Sequence, residues 1–341
     1  LKEFINPNNQ QMQSFNLEIQ QSTFLVTGGA GFIGSNLVQY LLENNAKQVI
    51  VLDNFSNGFE KNISLFFNRP NFKFIEGDIR DLDTCQHACR GIDYVSHQAA
   101  LGSVPRSLNN PIATNEVNIS GFLNMLVASR DQKVKRFVYA ASSSTYGDSQ
   151  SLPKVEDVIG KPLSPYAVTK YVNELYAHVF ALNYGMKTIG LRYFNVFGPK
   201  QDPQGAYAAV IPLFIQAILD NESPFINGDG LQTRDFTYIE NVIQANIKAL
   251  FTQNEEALNQ IYNVAVGDRT TVKQMFDILN EVENKGINPV FREARAGDVR
   301  DSLADISKAK TLLGYEPTVR FKEGLIRTYE WFKLNQDFIK Q

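Results

Sequence analysis

The chain has 341 residues, of which 43% are hydrophobic and 20% charged, too apolar a mixture for a disordered protein and long enough for one large domain or two joined ones. With 33 basic against 36 acidic residues the net charge is -3, so no broad positive field exists to hold nucleic acid or an anionic membrane, and neither is expected as a partner. Its 2 cysteines, Cys85 and Cys89, lie one helical turn apart, a poor disulfide arrangement that fits a reducing, cytoplasmic setting. Together with His87, His97 and His178 they do not repeat at metal-ligand spacing, so they are expected to pack a helix and no metal site is expected.

The opening stretch LKEFINPNNQQMQSFNLEIQQ is rich in Asn and Gln and lacks the basic start and apolar run of a signal peptide. It reads as a short polar helix or tail. No stretch approaches the roughly 18 apolar residues of a membrane span. Strands are expected at 24–27, 49–53, 72–76, 94–96, 136–141 and 188–192, with amphipathic helices at 33–43, 117–130 and 166–184 among them. This alternation predicts an α/β fold around a parallel, doubly wound (Rossmann) sheet. Beyond Gly198 the rhythm breaks into loops carrying Pro199, Pro203, Pro212 and Pro224. A smaller α/β domain is therefore placed at 199–235 and 267–341. It interleaves with the 1–198 unit, because 236–266, a helix at 238–250 and a strand at 261–266, returns to the first domain.

FLVTGGAGFIG sets Gly28, Gly31 and Gly34 after a strand and at the opening of a helix. The first permits a tight turn, the second lets main-chain N–H groups approach a pyrophosphate, and the third allows close helix packing. Asp53 ends the next strand about 20 residues on, where a carboxylate accepts from the adenosine ribose hydroxyls. Asn54, Phe55 and Ser56 follow it with no Arg for a 2′-phosphate, so NAD is expected in preference to NADP. Asp78 in GDIRD either reaches the adenine amino group or caps a helix.

Tyr166 and Lys170 in SPYAVTKY stand at i,i+4 and share a helix face. An ammonium beside a phenol, a positively charged nicotinamide and the helix start after Pro165 all favour phenolate, so Tyr166 can serve as acid and base. Ser142, in RFVYAASSSTYG at the end of a strand, can bond a sugar hydroxyl and relay its proton to Tyr166; otherwise it belongs to a Ser-rich turn.

TGGAGFIG, Asp53, SSSTYG, YAVTK and LRYFNVFGP together resemble the extended short-chain dehydrogenase/reductases, most closely the UDP-hexose 4-epimerases, from Thr23 to about Tyr315. HQAALGSVPRS, NGDGLQTRDFTYIENV and RAGDVRDSLADISKA are similar to the subgroup acting on UDP-N-acetylhexosamines in bacterial surface-polysaccharide synthesis. The resemblance implies reversible C4 epimerisation of UDP-GlcNAc and UDP-GalNAc through a 4-keto sugar, with tightly held, recycled NAD and Ser142, Tyr166 and Lys170 as the catalytic triad. Ser143 and Ser144 stand where related dehydratases carry an Asp-Glu pair and decarboxylases a Glu, so elimination and decarboxylation are not expected.

The same resemblance implies NAD contacts from Phe32 and Ile33 beside the glycines, from Asn54, Asp78 and Ile79, from Gln98, Ala99 and Ala100, and from Asn118 and Tyr193, besides Tyr166 and Lys170. For the sugar nucleotide it places Arg234 and Arg295 on the diphosphate, Asn195 on the substrate, and Phe225 on uracil with Asn227 and Asp298 nearby. Gly102, Ala209 (beside Val210) and Ser302 replace larger residues of the plain-hexose enzymes, Ser302 at a gate position that is Tyr in them. These three small residues leave room for a 2-acetamido group; Ser103 and Gln201 can bond that group or the sugar hydroxyls, and Ser142, Ser143 and Ser144 are also expected at the substrate. A plain UDP-hexose or an acetamido uronic acid is the alternative substrate, the uronate needing a further cation such as Arg106 or Arg300. A non-catalytic NAD-binding scaffold is the alternative of a different class. A homodimer through a four-helix bundle of 117–130 and 166–184 is also implied.

Overall fold

A computed structural model describes residues 15–205, 208–293 and 300–340; Arg295 and Asp298 lie outside the described residues. Seven strands form the central sheet: β1 (Thr23–Thr27), β2 (Gln48–Asp53), β3 (Phe72–Glu76), β4 (Tyr94–His97), β5 (Arg136–Ser142), β6 (Thr188–Tyr193) and β7 (Gln260–Val264). They pair in parallel in the order β3-β2-β1-β4-β5-β6-β7. Parallel strands are covered on both faces and so read as unbroken apolar runs. Within β2, Val49 and Val51 enter one core while Ile50 and Leu52 enter the other, the two-residue alternation of a strand.

Helices α1 (Phe32–Glu43) and α6 (Ile239–Phe251) bury Leu37, Leu41, Val242 and Leu250 in the first core. On the opposite face α2 (Leu82–Ala88), α3 (Phe122–Asp131) and α4 (Pro165–Tyr184) bury Cys85, Met125 and Ala177 in the second. Both cysteines are free thiols inside that core, where burial pushes their pKa values up to about 12 for Cys85 and about 11 for Cys89. Helix packing is thus their observed role. Among the described residues no group of His, Cys, Asp and Glu gathers at metal-binding distance, and no helix is long and apolar enough to cross a membrane.

Element ends differ from the sequence expectations by one or two residues, except in the helix expected at 117–130. There the chain first makes a π-helical segment, Glu116–Gly121, and only then α3. Such single π segments recur at functional sites because they re-aim a side chain, and this one aims Asn118 inward.

Two features of the sheet set the site. Strand order reverses direction between β1 and β4, opening a crevice at their carboxyl ends. β7 pairs with β6 at the far edge, so residues that follow the loops after β6 come back to the sheet. The remainder includes α5 (Val210–Leu219), helices Val272–Glu283, Ser307–Leu313 and Phe321–Leu334, and two-stranded pieces: Val196–Phe197 with Thr237–Tyr238, Phe225–Asn227 with Val290–Arg292, and Thr233–Arg234 with Thr270–Thr271. A buried ion pair joins β6 to α4, with Arg192 Nε 2.8 Å and Nη2 2.7 Å from the Glu174 carboxylate. Glu174 lies one turn past Lys170, so this pair fixes the rotation of the helix that carries Tyr166 and Lys170.

Candidate active site

At the crevice, Gly28 adopts φ +67° and donates its N–H to Leu52 O at 2.9 Å. A Cβ on Gly28 would lie 2.7 Å from Ala99 N, and one on Gly34 only 2.2 Å from Gly28 O. Any other residue would therefore displace main chain at either place. Gly31 caps α1, leaving the first N–H groups of that helix directed at the crevice. A diphosphate fits this cradle.

Asp53 at the end of β2 is buried, its Oδ2 accepting from Ala30 N at 2.9 Å and its Oδ1 from Phe55 N at 2.8 Å. Burial raises its pKa and these bonds oppose the rise. With Asn54, Asp78, Ile79, Ala99 and Ala100 it lines a narrow cavity of about 90 Å³. Asp78 takes a bond from Asn54 Nδ2 at 2.9 Å and an ion pair from Arg80 at 2.7 Å; the Arg80 guanidinium holds its carboxyl below the usual range. The residue that caps α2 is Asp81, accepting from Asp83 N and Thr84 N, which removes the capping alternative for Asp78.

Asn118, expected to contact the cofactor, is buried beside the cleft. Asn118 accepts from Leu101 N at 2.8 Å and donates to Leu101 O at 3.2 Å and Thr169 Oγ1 at 3.1 Å. It stands behind the cleft wall and ties the 98–103 stretch to α4. Tyr193 does line the cleft, its hydroxyl donating to Gln98 Oε1 at 3.2 Å and accepting from Asn246 Nδ2 at 2.9 Å. Asn246, Asn57 and Gly58 are part of this surroundings without any motif to announce them.

A cleft of about 510 Å³ runs from Gly28, Gly31, Phe32 and Ile33 past Ser142, Tyr166 and Lys170 to Gln201 and Ala209. Ser142 is the last residue of β5, and its Oγ accepts from Ser144 N at 3.1 Å and from Ser144 Oγ at 2.9 Å. Tyr166 sits in the first turn of α4, which Ser164 caps by accepting from Ala167 N at 3.1 Å. Burial pushes the phenol up, and a hydrogen bond with Ser142 opposes this. Lys170 donates to Ala140 O at 2.8 Å and lies 6.0 Å from the centre of the Tyr166 ring. Burial lowers its pKa to about 8 while Glu174 pulls it back up. The three side chains thus meet in the cleft.

Two further cavities open on the same region. One of about 260 Å³ is lined by Gln201, Ala209, Val210, Phe225, Asn227 and Arg234; the other, of about 400 Å³, by Ser142, Ser143, Ser144, Lys154, Arg234 and Ser302. Asn195, at φ +35° just past β6, lines all three. A Cβ on Gly102 would meet nothing within 4 Å, so that wall of the main cleft is open. Gln201 Nε2 is fixed on Val196 O at 3.2 Å, while its buried Oε1 has no hydrogen-bond partner among the described residues. Ser103, at φ +114°, accepts from Arg106 N and so caps a short helix. Arg106 lines the main cleft bonded to Asn57; Arg300 lies outside these cavities, 3.6 Å from Asp229. Arg234 Nη1 donates to Thr233 O at 2.9 Å and Arg300 O at 3.1 Å, and Phe225 is half exposed under the Arg292 guanidinium. Lys154 was not anticipated: it is buried, lines the 400 Å³ cavity and donates to Ser149 O, with burial lowering its pKa.

Residues 24–265 match the model of the NAD dependent epimerase/dehydratase family. The chain belongs to that family. Among solved structures it is similar to a UDP-N-acetylglucosamine 4-epimerase from Methanobrevibacter ruminantium M1 in complex with UDP-N-acetylmuramic acid, 39% identical, with a TM-score of 0.87 over 92% of this chain and 99% of that one. It is equally 39% identical to a UDP-glucose 4-epimerase from Thermotoga maritima with UDP-glucose, at a TM-score of 0.86 over the same shares. Among curated relatives, the UDP-glucuronate 4-epimerase of Thermodesulfobacterium geofontis is 36% identical over 93% of this chain and 98% of its own length. Three relatives thus name three different sugars, so likeness alone does not select the sugar.

Proposed function

We propose that this chain, an NAD-dependent UDP-sugar 4-epimerase, interconverts UDP-GlcNAc and UDP-GalNAc. The observation that carries the N-acetyl preference is the open wall at Gly102 in the cleft that also holds Tyr166, Gln201 and Ala209. A 2-acetamido group needs space and a hydrogen-bond acceptor for its N–H. Gly102 and Ala209 leave the space, and the unpartnered Gln201 Oε1 is a buried acceptor whose pairing recovers about 1–3 kcal/mol. Ser302, small and on the neighbouring cavity, leaves the gate open.

In this reading the glycine turn would hold the NAD diphosphate and Asp53 its adenosine ribose, and the bound cofactor would supply the hydride acceptor and donor together with a positive charge. Tyr166 takes the proton of the sugar 4-hydroxyl, directly or through Ser142, and returns it to the other epimer. Lys170, charged at neutral pH because its pKa is about 8, lies beside the phenol and favours its ionisation once a second positive charge is near. Arg234 holds the diphosphate, Asn195 bonds the sugar nucleotide, and Phe225 with Asn227 receives the uracil. The 400 Å³ cavity beyond Ser142 gives the 4-keto sugar room to present its opposite face.

Steady-state kinetics with UDP-GlcNAc, UDP-glucose and UDP-N-acetylglucosaminuronic acid test the sugar assignment. We expect kcat/KM to favour UDP-GlcNAc over UDP-glucose at least tenfold; equal or reversed values contradict it. A second reading, an acetamido uronic acid, has one observation in its favour. The buried Lys154 ammonium lines the sugar cavity, and a highest kcat/KM for the uronate would establish that reading.

The domains are proposed to divide as the sequence suggests, NAD on 1–198 with 236–266 and the sugar nucleotide on the rest. A homodimer is supported by Val168, Leu175, Val179 and Leu182, exposed along α4, and by Leu108 and Ile112 exposed nearby in sequence to α3. The reaction would then serve surface-polysaccharide synthesis in the cytoplasm, the setting that free buried thiols suit.

A further inference from the structure

We infer that Asp235 is the clasp that brings Arg234 and Ser302 into one pocket, a positioning residue for sugar-nucleotide binding that never touches the ligand. The inference rests on the reading of Arg234 as a diphosphate ligand. Asp235 is fully buried and directly follows Arg234. Its carboxylate gathers three main-chain donors from two distant segments: Val266 N at 3.0 Å, Gly267 N at 3.1 Å and Ala304 N at 3.2 Å. The first two follow β7, at the edge of the central sheet; the third lies two residues beyond Ser302. Its carbonyl oxygen takes a bond from Asn195 Nδ2 at 3.0 Å, and Asn195 lines all three cavities.

The segments so gathered also meet through contacts of their own: Thr237–Tyr238 pair in parallel with Val196–Phe197, and Asn263 Nδ2 on β7 donates to Asp305 O at 2.9 Å. Thr233 N donates to Arg300 O at 3.0 Å and Ser302 N to Thr233 O at 3.2 Å, a short strip of pairing that fixes the register of 233 against 301. Asp235 adds a buried tie at that point, because its carboxylate holds Ala304 to Val266 and Gly267 just past β7 while its carbonyl oxygen takes the Asn195 bond just past β6. Three converging N–H donors need an acceptor with two oxygens. An asparagine has almost the same shape but only one oxygen, and it turns an NH2 toward at least one donor. Asp235→Asn therefore loosens the clasp without opening a cavity.

The experiment compares holoenzymes carrying Asp235→Asn and Arg234→Met, with activity normalised to bound NAD and UDP binding measured by calorimetry. The clasp predicts that Asp235→Asn raises KM for the UDP-sugar and the UDP dissociation constant about tenfold or more, with kcat within about twofold and NAD content unchanged. Normal UDP binding in Asp235→Asn beside weakened binding in Arg234→Met overturns the clasp alone. Normal binding in both overturns the sugar-nucleotide reading itself. A parallel fall in kcat, NAD content and melting temperature with an unchanged KM makes Asp235 merely structural and also overturns the proposal. If Asp235→Asn does not fold, hydrogen exchange on the unmodified holoenzyme decides. UDP must then slow exchange at 266–267 and 304 together with 233–235, and protection confined to 233–235 contradicts the clasp.

Discussion

Gly28, Gly31 and Gly34 shape the cleft proposed for the cofactor with main chain drawn from one turn, whereas the cavities proposed for the sugar nucleotide are assembled from Asn195, Arg234 and Ser302 on segments far apart in the chain. The first site is rigid because its atoms belong to a strand, a turn and a helix that the sheet already fixes. The second depends on loops being held to the sheet by a few polar bonds, with Asp235 at their centre. This difference teaches where each kind of change should act: substitutions in the glycine turn remove NAD and stability together, while those in the second region change affinity and sugar choice and leave the fold standing.

The largest effect is expected at the point where the two regions meet. Tyr166→Phe should lower kcat by about 10³-fold or more, the scale of a lost acid-base group, with NAD content and melting temperature held. An active variant would mean that another group moves the proton. Gly34→Ala comes next, since its Cβ would stand 2.2 Å from Gly28 O. It should purify with little NAD and lose about 1–3 kcal/mol of stability by denaturant unfolding, and retention of NAD would break the contrast drawn above.

Ser302→Tyr should act on the other side only. It is expected to cut kcat/KM for UDP-GlcNAc at least tenfold more than for UDP-glucose, without loss of NAD; equal losses would count against the gate. The smallest effect concerns stability and pH. The folded pKa of Lys170, about 8, lies below its ordinary 10.5, so the folded state binds fewer protons between these values and its stability rises with pH there. The uncompensated cost of burying the ammonium is present in full below about pH 8. Lys170→Met should therefore remove this rise in apoenzyme melting curves taken from pH 7 to 10, a slope that persists in the variant showing the burial argument to be mistaken.

The first region was largely legible from residue order because its signals are local. The spacing of Gly28, Gly31 and Gly34 and the i,i+4 pair of Tyr166 and Lys170 each specify one turn or one helix face. Asp53 needed only the next strand. Residues that act across the fold carried no such signal. Asn118, on the π segment, meets Leu101 and Thr169, contacts that its place in the sequence does not announce. Lys154 and Asn246 reach their places only through tertiary pairing, Lys154 by main-chain bonds to Leu303 and Asp305. The burial that raises the Tyr166 phenol was likewise beyond the sequence, which shows the lysine beside it but not the packing around it.

The central claim is that hydride leaves C4 of the sugar and returns to the same carbon on a cofactor that stays bound. UDP-GlcNAc deuterated at C4, incubated with the holoenzyme in ordinary water without added NAD, tests this most directly by proton NMR and mass spectrometry. The account predicts that UDP-GalNAc forms with its deuterium kept at C4 in both epimers and with no NADH released. Loss of the label to solvent, or formation of a dehydrated 4-keto sugar in place of the epimer, would contradict it.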